Sequence, residues 1–381
     1  MTLKDRLSKL RQQRGTAPVG PQAPVAGAGP DSSLRAQLGR LARTRGRPTP
    51  TQSQLDDDAL ARRLHGRCLR PGLIAVERYL PCGMAHGRSR LYATAVEALQ
   101  LFGASSTRPE GTVFLDCETT GLSTGSGTLV FLLGLVNVMP QGLRLRQYLL
   151  TRFQAESALL GEAGQALGDA QTVVTYNGKT FDRPLLASRY RLARLSDPLC
   201  SLTHIDLLHP TRRAFAERWP DCRLQTVETR LLGFLRTDDL PGAWVPQVWF
   251  DWMRKGVAED LPRLLQHNRW DLLSLVALAS ALPPCYADPL AHDANILPIL
   301  RHRRTEHHTY QYLLANRTRL DRKALLELAR LARQQRNWPL AVSIWKPLAA
   351  DQHLEAIEQL AKYYEHQDLD LPMALRFTRT L

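Results

Sequence analysis

Between residues 111 and 282, short uninterrupted apolar runs alternate with stretches of helical periodicity, and no other feature of the 381-residue chain constrains its fold as tightly. Residues 112–116 (Thr-Val-Phe-Leu-Asp) read as a strand buried on both faces, because a strand with one wet face would alternate polar and apolar positions. Residues 129–139 are a second such run, and residues 143–150 alternate like a third strand behind a Pro-Gln-Gly turn. Residues 155–167 have helical spacing, 172–176 are strand-like, 181–192 helical and 203–207 strand-like, and helical material runs through 261–282. Three hairpin-linked strands followed by helix, strand, helix and strand predict an α/β fold: a mixed sheet flanked by helices.

The flanks differ in kind. Residues 1–53 carry ten Lys and Arg against Asp5 and Asp31, so +8 of the net charge of +14 falls there. Dense in Pro, Gly, Ala and Arg, this stretch lacks the apolar periodicity that would offset its ordering entropy. Residues 1–55 are therefore expected to form a disordered basic arm, either a loose phosphate-attracting segment or a solvated tail. Residues 56–109 form a small accessory α/β region, with a strand at 72–79, a His86-Gly87 turn, and a strand or short helix at 91–101. The main domain is placed at 110–285 and a helical connector at 286–322. In 323–381, Leu328-Ala-Arg-Leu with Pro339-Leu-Ala recurs as Leu360-Ala-Lys-Tyr with Pro372-Met-Ala. Each copy reads helix, turn, helix, at a period close to that of tetratricopeptide repeats, so an all-α repeat-like tail is expected.

No uninterrupted apolar run approaches the length of a membrane helix, and the first residues show no secretory pattern; the chain reads as cytoplasmic, with no membrane partner. Its six cysteines form no C-x-x-C pair and are expected to be reduced, mostly buried thiols. No G-K-[ST] follows Gly125 and Gly127, which excludes a nucleotide-hydrolysing phosphate loop.

The chemistry-bearing residues fall at the element ends. Asp116 and Glu118 are two apart on a strand, so their carboxylates share a face and repel, and a hard divalent cation supplies the missing charge. Thr175–Asp182 (Thr-Tyr-Asn-Gly-Lys-Thr-Phe-Asp) is a strand end, an Asn-Gly turn and a helix start carrying Asp182. Asp271 follows His267 by four residues, which puts both on one helical face.

This ordered set, a strand-borne D-x-E, an N-x-x-x-F-D one helix later and an H-x-x-x-D on a final helix, resembles the three motifs of DEDD exonucleases in the ribonuclease H-like superfamily. The stretches 119–127, 176–182, 206–209, 231–234, 238–242 and 267–271 look more specifically like the YprB-like group of bacterial ribonuclease H-like proteins, in which a tetratricopeptide-like tail often follows the nuclease-like domain. The resemblance implies a ribonuclease H-like fold and a 3′→5′ exonuclease that hydrolyses single-stranded DNA or RNA. It implies that Asp116, Glu118, Asp182 and Asp271 hold two Mg2+ or Mn2+ ions, with His267 as general base or water-orienting residue. The histidine stands at the spacing of the tyrosine type of these enzymes, not one residue further from the aspartate as in the histidine type. Thr119, Thr120 and Leu122 are then expected near the terminal nucleotide, and Asn177 and Lys179 near a phosphate, with turn chemistry and a solvated lysine as the plainer alternative. Asp206 reads as a partner of the metal ligands or as a structural acid, and Arg212, Arg213 and Arg218 as a backbone groove or a solvated helix face. A reading of another class is a non-catalytic nucleic-acid-binding or adaptor protein that uses the basic arm and docks a protein partner through the helical repeats.

Overall fold

The computed structural model describes residues 55–104, 109–121, 127–302 and 305–380. The basic arm and Leu122 lie outside the described residues.

Seven strands form one mixed sheet, in the order β1-β2-β7-β6-β5-β8-β9. They are β1 (Arg67–Arg70), β2 (Leu73–Pro81), β5 (Thr112–Thr119), β6 (Val130–Met139), β7 (Gly142–Leu150), β8 (Thr172–Thr175) and β9 (Thr203–Asp206). The pairs β1/β2, β2/β7, β7/β6 and β6/β5 are antiparallel, whereas β8 and β9 add to β5 in parallel. The continuous apolar run of β6 has its explanation here. From Val130 to Val136 every residue is buried, because helices cover both faces of a central strand. The strand anticipated at residues 72–79 joins the same sheet through β7, and a separate hairpin, β3 (Met84–His86) with β4 (Ser89–Leu91), follows it. Of the two readings for the stretch after it, the short helix is the one found: a 3-10 helix, Ala93–Phe102, closed by Gly103 at φ 101°.

The covering helices are α1 (Asp57–Arg63), α2 (Glu156–Leu167), α3 (Asp182–Leu192), α4 (Leu208–Phe215), α5 (Leu224–Val227, continued by a π-helical turn over Glu228–Leu232), α6 (Val245–Lys255) and α7 (Leu261–Ala287). Helix α7 outruns its expected end at residue 282 by five residues, through Pro283 and Pro284. It is long and apolar enough to cross a membrane by length and composition, yet most of it is buried inside the fold. One apolar cluster joins α2, α3, α6 and the first turns of α7 to the sheet, and a second joins α4 and the rest of α7.

An all-α region completes the chain: α8 (Ile296–Arg301), α9 (Glu306–Ala315), α10 (Arg322–Gln334), α11 (Trp338–Ala350), α12 (Leu354–His366) and α13 (Leu371–Thr378). Asp321, Asn337 and Asp370 cap α10, α11 and α13 by accepting from Ala324, Leu340 and Met373 N–H groups, which explains where these helices begin. Its apolar cluster is a third one, and α8 belongs to two: Ile299 enters the second cluster, Ile296 and Leu300 the third.

All six cysteines are free thiols, but the expectation that most are buried is corrected. Only Cys285 is fully buried, and Cys82 and Cys200 are exposed, in the β2–β3 turn and a surface 3-10 helix.

Candidate active site

Strand β5 carries Asp116 and Glu118 toward α7. Across the sheet Asp116 pairs with Gly134, and Gly134 with Gln147. Directly opposed residues share a face, so the acid, the glycine and the amide form one row beneath the helix. A side chain at Gly134 would run into Asn268 Oδ1 and come within 2.6 Å of Leu272 Cδ1. Glycine is what lets α7 lie this close to the sheet. Fully buried Asn268 then ties the layers together: its Nδ2 donates to Asp116 Oδ2 (2.8 Å), and its Oδ1 accepts from Gln147 Nε2 (2.8 Å).

Helix α7 also presents His267 and Asp271, one turn apart. Ligand atoms of Glu118, His267 and Asp271 lie within 4.8 Å of one another. Asp182, the first residue of α3, stands close enough to raise the pKa of both Asp116 and Glu118. The loop before it is fixed by Asp206, whose carboxylate accepts from the backbone N–H groups of Asn177 (2.7 Å), Lys179 (3.0 Å) and Leu208 (3.0 Å). Asp206 is thus the structural acid of the two readings. Asn177 has φ 66°, and a side chain at Gly178 would strike Thr175, which accounts for the Asn-Gly pair at this turn.

The electrostatics are lopsided. Among the described residues Asp116, Glu118 and Asp182 form no ion pair, while Asp271 has Arg236 against its Oδ1. Burial, then the charges of Asp271, Glu118 and Asp182, hold the Asp116 carboxyl well above the usual range. Glu118 is pushed up to about 7 by burial, with His267 and Arg236 opposing and Asp271 and Asp182 adding. Asp182 also reaches about 7, through burial. Burial alone would depress His267, but Asp271, Glu118 and Asp239 outweigh it and raise its pKa. A cluster of oxygen ligands that repel one another for want of positive charge is what a hard divalent cation neutralises, so the residues fit the implied metal.

Sequence reasoning missed the residues that hold Asp271 and His267. Arg236, nearly buried, bonds Glu228 (2.6 Å and 2.8 Å), Asp239 (3.0 Å) and Asp271. Asp239 Oδ1 in turn lies 2.8 Å from His267 Nδ1, which leaves Nε2 3.7 Å from Asp271 Oδ2. Glu228 also accepts from Ser274 Oγ (2.5 Å), and Ser274 Oγ lies 2.8 Å from His86 Nε2 on the β3–β4 hairpin. The available signals were local. Arg236 falls between the stretches 231–234 and 238–242, and Asn268 immediately follows His267.

Of the expected substrate contacts, Thr119 Oγ1 donates to Gly121 O (2.8 Å) and Thr120 Oγ1 accepts from Leu129 N–H (3.0 Å), so both hydroxyls are engaged by nearby backbone groups. Asn177 is half-buried, and the Lys179 side chain is exposed. Arg218 faces Asp293 and Asp321 (3.6 Å each), and Arg213 Nη1 reaches the Tyr286 hydroxyl (3.4 Å). Arg212 alone of the three arginines lines a cleft with Asn177.

A sequence model of the family described as RNase_H superfamily matches residues 113–282, from β5 to α7, a span that contains all four acids and His267. The uncharacterized protein YprB of Bacillus subtilis (strain 168) is 32% identical over 277 residues, covering 69% of this chain and 67% of that protein. Among solved structures, the family B DNA polymerase from the hyperthermophilic archaeon Pyrobaculum calidifontis superposes with a TM-score of 0.37 at 14% identity, over 70% of this chain and 34% of the polymerase chain. With identity to YprB spanning two thirds of both proteins, and with the superfamily match falling on the domain that carries the acids, the chain belongs to the ribonuclease H superfamily as a relative of YprB.

Proposed function

We propose that the chain is a metal-dependent nuclease, a 3′→5′ exonuclease that hydrolyses phosphodiester bonds of single-stranded nucleic acid. Membership of the ribonuclease H superfamily supports a nuclease-like function. The observation that carries the finer reading is the cluster of Glu118, Asp271 and His267, with Asp116 and Asp182 close enough to repel its carboxylates, and with Asp116, Glu118 and Asp182 lacking any ion-pair partner among the described residues. The polarity follows from the likeness of the ordered acids to DEDD exonucleases.

In this reading the four carboxylates hold two Mg2+ or Mn2+ ions, which when bound lower the pKa of a coordinated water and polarise the phosphoryl oxygens. The chain's own residues do the rest. Asn268 fixes the Asp116 carboxylate, and Arg236 anchors one oxygen of Asp271 and leaves the other toward the cluster. With Nδ1 engaged by Asp239, His267 keeps Nε2 for the proton of the attacking water. The backbone at Thr119 and Thr120 meets the terminal nucleotide, and Asn177 and Lys179 meet a phosphate. The helical tail, with its tetratricopeptide-like spacing, docks a protein partner.

The test is degradation of 5′-end-labelled single-stranded DNA and RNA by the full chain, stripped of metal and resupplied with Mg2+ or Mn2+. Stepwise shortening from the 3′ end is expected. Asp116→Asn should abolish it, and His267→Ala should slow it by about 10²–10⁴-fold, the usual worth of a positioned acid–base group. If the wild type leaves both strands intact with either metal, the reading fails.

A further inference from the structure

The four carboxylates lie on one side of α7. Across that helix, about 10 Å away given the width of an α-helix, the same face of the sheet floors a second cleft. Gln147 pairs with Val76 of β2, so the row Asp116, Gly134, Gln147, Val76 passes beneath the helix and emerges there. The cleft has a volume of about 460 Å³ and a charged lining that is entirely basic: Arg63 and His65 from the end of α1, Arg78 from β2, and Arg269 from α7, with Gln147 and Gln266 as polar neighbours.

Its arginines have no carboxylate partner among the described residues, and Arg269 Nη2 donates to Gln266 Oε1. Among the described residues Arg63, Arg78 and Arg269 form no ion pair, although Arg144, Arg183, Arg189 and Arg236 each have a carboxylate within 3.0 Å. Glu77, next to Arg78 in sequence, points to the opposite face and pairs there with Arg144. Arg78 and Arg269 are half-buried and line the same cleft. Charges withdrawn from water are normally paired, and two that converge without a counter-ion leave room for an anion. A pair of planar guanidinium forks matches the oxygens of a phosphate group better than any other common anion except a carboxylate.

We propose that this cleft binds a phosphate group, with Arg78 and Arg269 as its guanidinium pair and Arg63 at its rim. Gln147, which lines the cleft, donates to Asn268, and Asn268 donates to Asp116. Two hydrogen bonds thus join the phosphate subsite to the acid cluster. The group is either a phosphodiester of a strand whose end lies at the acids, a source that rests on the nuclease reading, or a free phosphate, a source that does not.

Binding of a fluorescein-labelled oligothymidylate to the full chain, in EDTA and across a salt series, separates these. Each phosphate contact with a single strand contributes about 0.7 to the slope of log K against log salt, so Arg78→Gln with Arg269→Gln should flatten the slope by about 1.4. Exposed Arg63→Glu, which disturbs no packing, should flatten it as well and serves if the double variant does not fold. In a second arm, inorganic phosphate should raise the melting temperature of the wild type and not of the variants. A flattened slope identifies the phosphodiester, and a phosphate response with an unchanged slope identifies the free anion. Variants that match the wild type in both arms overturn the proposal. Asp116→Asn should keep the wild-type salt slope in EDTA, and a wild type that cleaves neither strand with either metal while the cleft effect stays intact counts against the nuclease reading alone.

Discussion

Asp116, Glu118 and Asp182 make the metal-free protein respond to pH in the direction opposite to that of ordinary paired carboxylates. Glu118 and Asp182 rise to about 7 from 4.5 and 3.8, and Asp116 is raised too, by burial and then by Asp271, Glu118 and Asp182. A carboxyl whose folded pKa exceeds its unfolded one contributes stability that is complete below the unfolded value and is lost as pH rises through the folded value. The raised His267 runs the same way. Between about pH 4 and pH 7 Glu118 and Asp182 should therefore draw the melting temperature of the EDTA-treated protein down as pH climbs, and His267 adds to the fall above its ordinary value. Carboxylates elsewhere contribute with the other sign, so the informative quantity is the difference between wild type and Asp116→Asn. That variant should be the more stable above neutrality, and Mg2+ should stabilise the wild type most at the same pH. A wild type that outlasts Asp116→Asn in EDTA at alkaline pH would contradict the repulsion. At this scale the acids were legible because each sits at a readable element end. Arg236, Glu228 and Asp239 were not, because an ion-pair network assembled across a π-helical turn and a loop has no period or spacing in the sequence.

Helix α7 and strand β6 show how much the elements owe to contacts that periodicity does not record. The central strands were readable because burial on both faces leaves a continuous apolar signature. The end of α7 was not, since Pro283 and Pro284 look like terminators and the packing of Cys285 and Tyr286 into the second cluster carries the helix past them. Nor could the sequence distinguish a 3-10 helix from a strand over 91–101. Gly134 is the clearest case. Within a strand pattern it reads as a weak point, while in the fold it is the place where helix and sheet touch. Gly134→Ala should force α7 outward and break the bond from Asn268 to Asp116. The expected cost is about 1–3 kcal/mol of stability, as for other overpacked sites. Urea unfolding measures it, and a parallel loss of Mg2+-dependent stabilisation would place the displacement at the acids. An unchanged midpoint would mean that the helix does not rest on this glycine.

The whole molecule couples its nuclease-like domain to the helical tail through a thin seam. The tail's apolar cluster is its own apart from the sharing of α8, and most other links among the described residues are polar, among them Lys323 with Glu217 (2.9 Å), Arg218 with Asp321 (3.6 Å), the Tyr312 hydroxyl to Asp288 (3.0 Å) and the Asn295 N–H to the Ala214 carbonyl (2.7 Å), while the Tyr286 and His302 rings meet edge-on. Exposed ion pairs of this kind contribute little to stability. A chain ending at residue 302 should therefore fold, lose only the tail's own unfolding transition, and keep the kcat of the full chain on a labelled single strand. Its exposed Ile296 and Leu300 should cost solubility rather than turnover. The same truncation separates the two classes of function that the sequence left open. An enzyme whose acids do the work keeps its metal-dependent cleavage without the tail and loses it in Asp116→Asn with the tail intact. An adaptor shows the reverse dependence: binding of its partner vanishes with residues 303–381, while Asp116→Asn changes nothing. Cleavage that disappears on truncation, with the remaining domain still folded by circular dichroism, would show instead that the tail completes the site, and that the seam transmits more than its few polar contacts suggest.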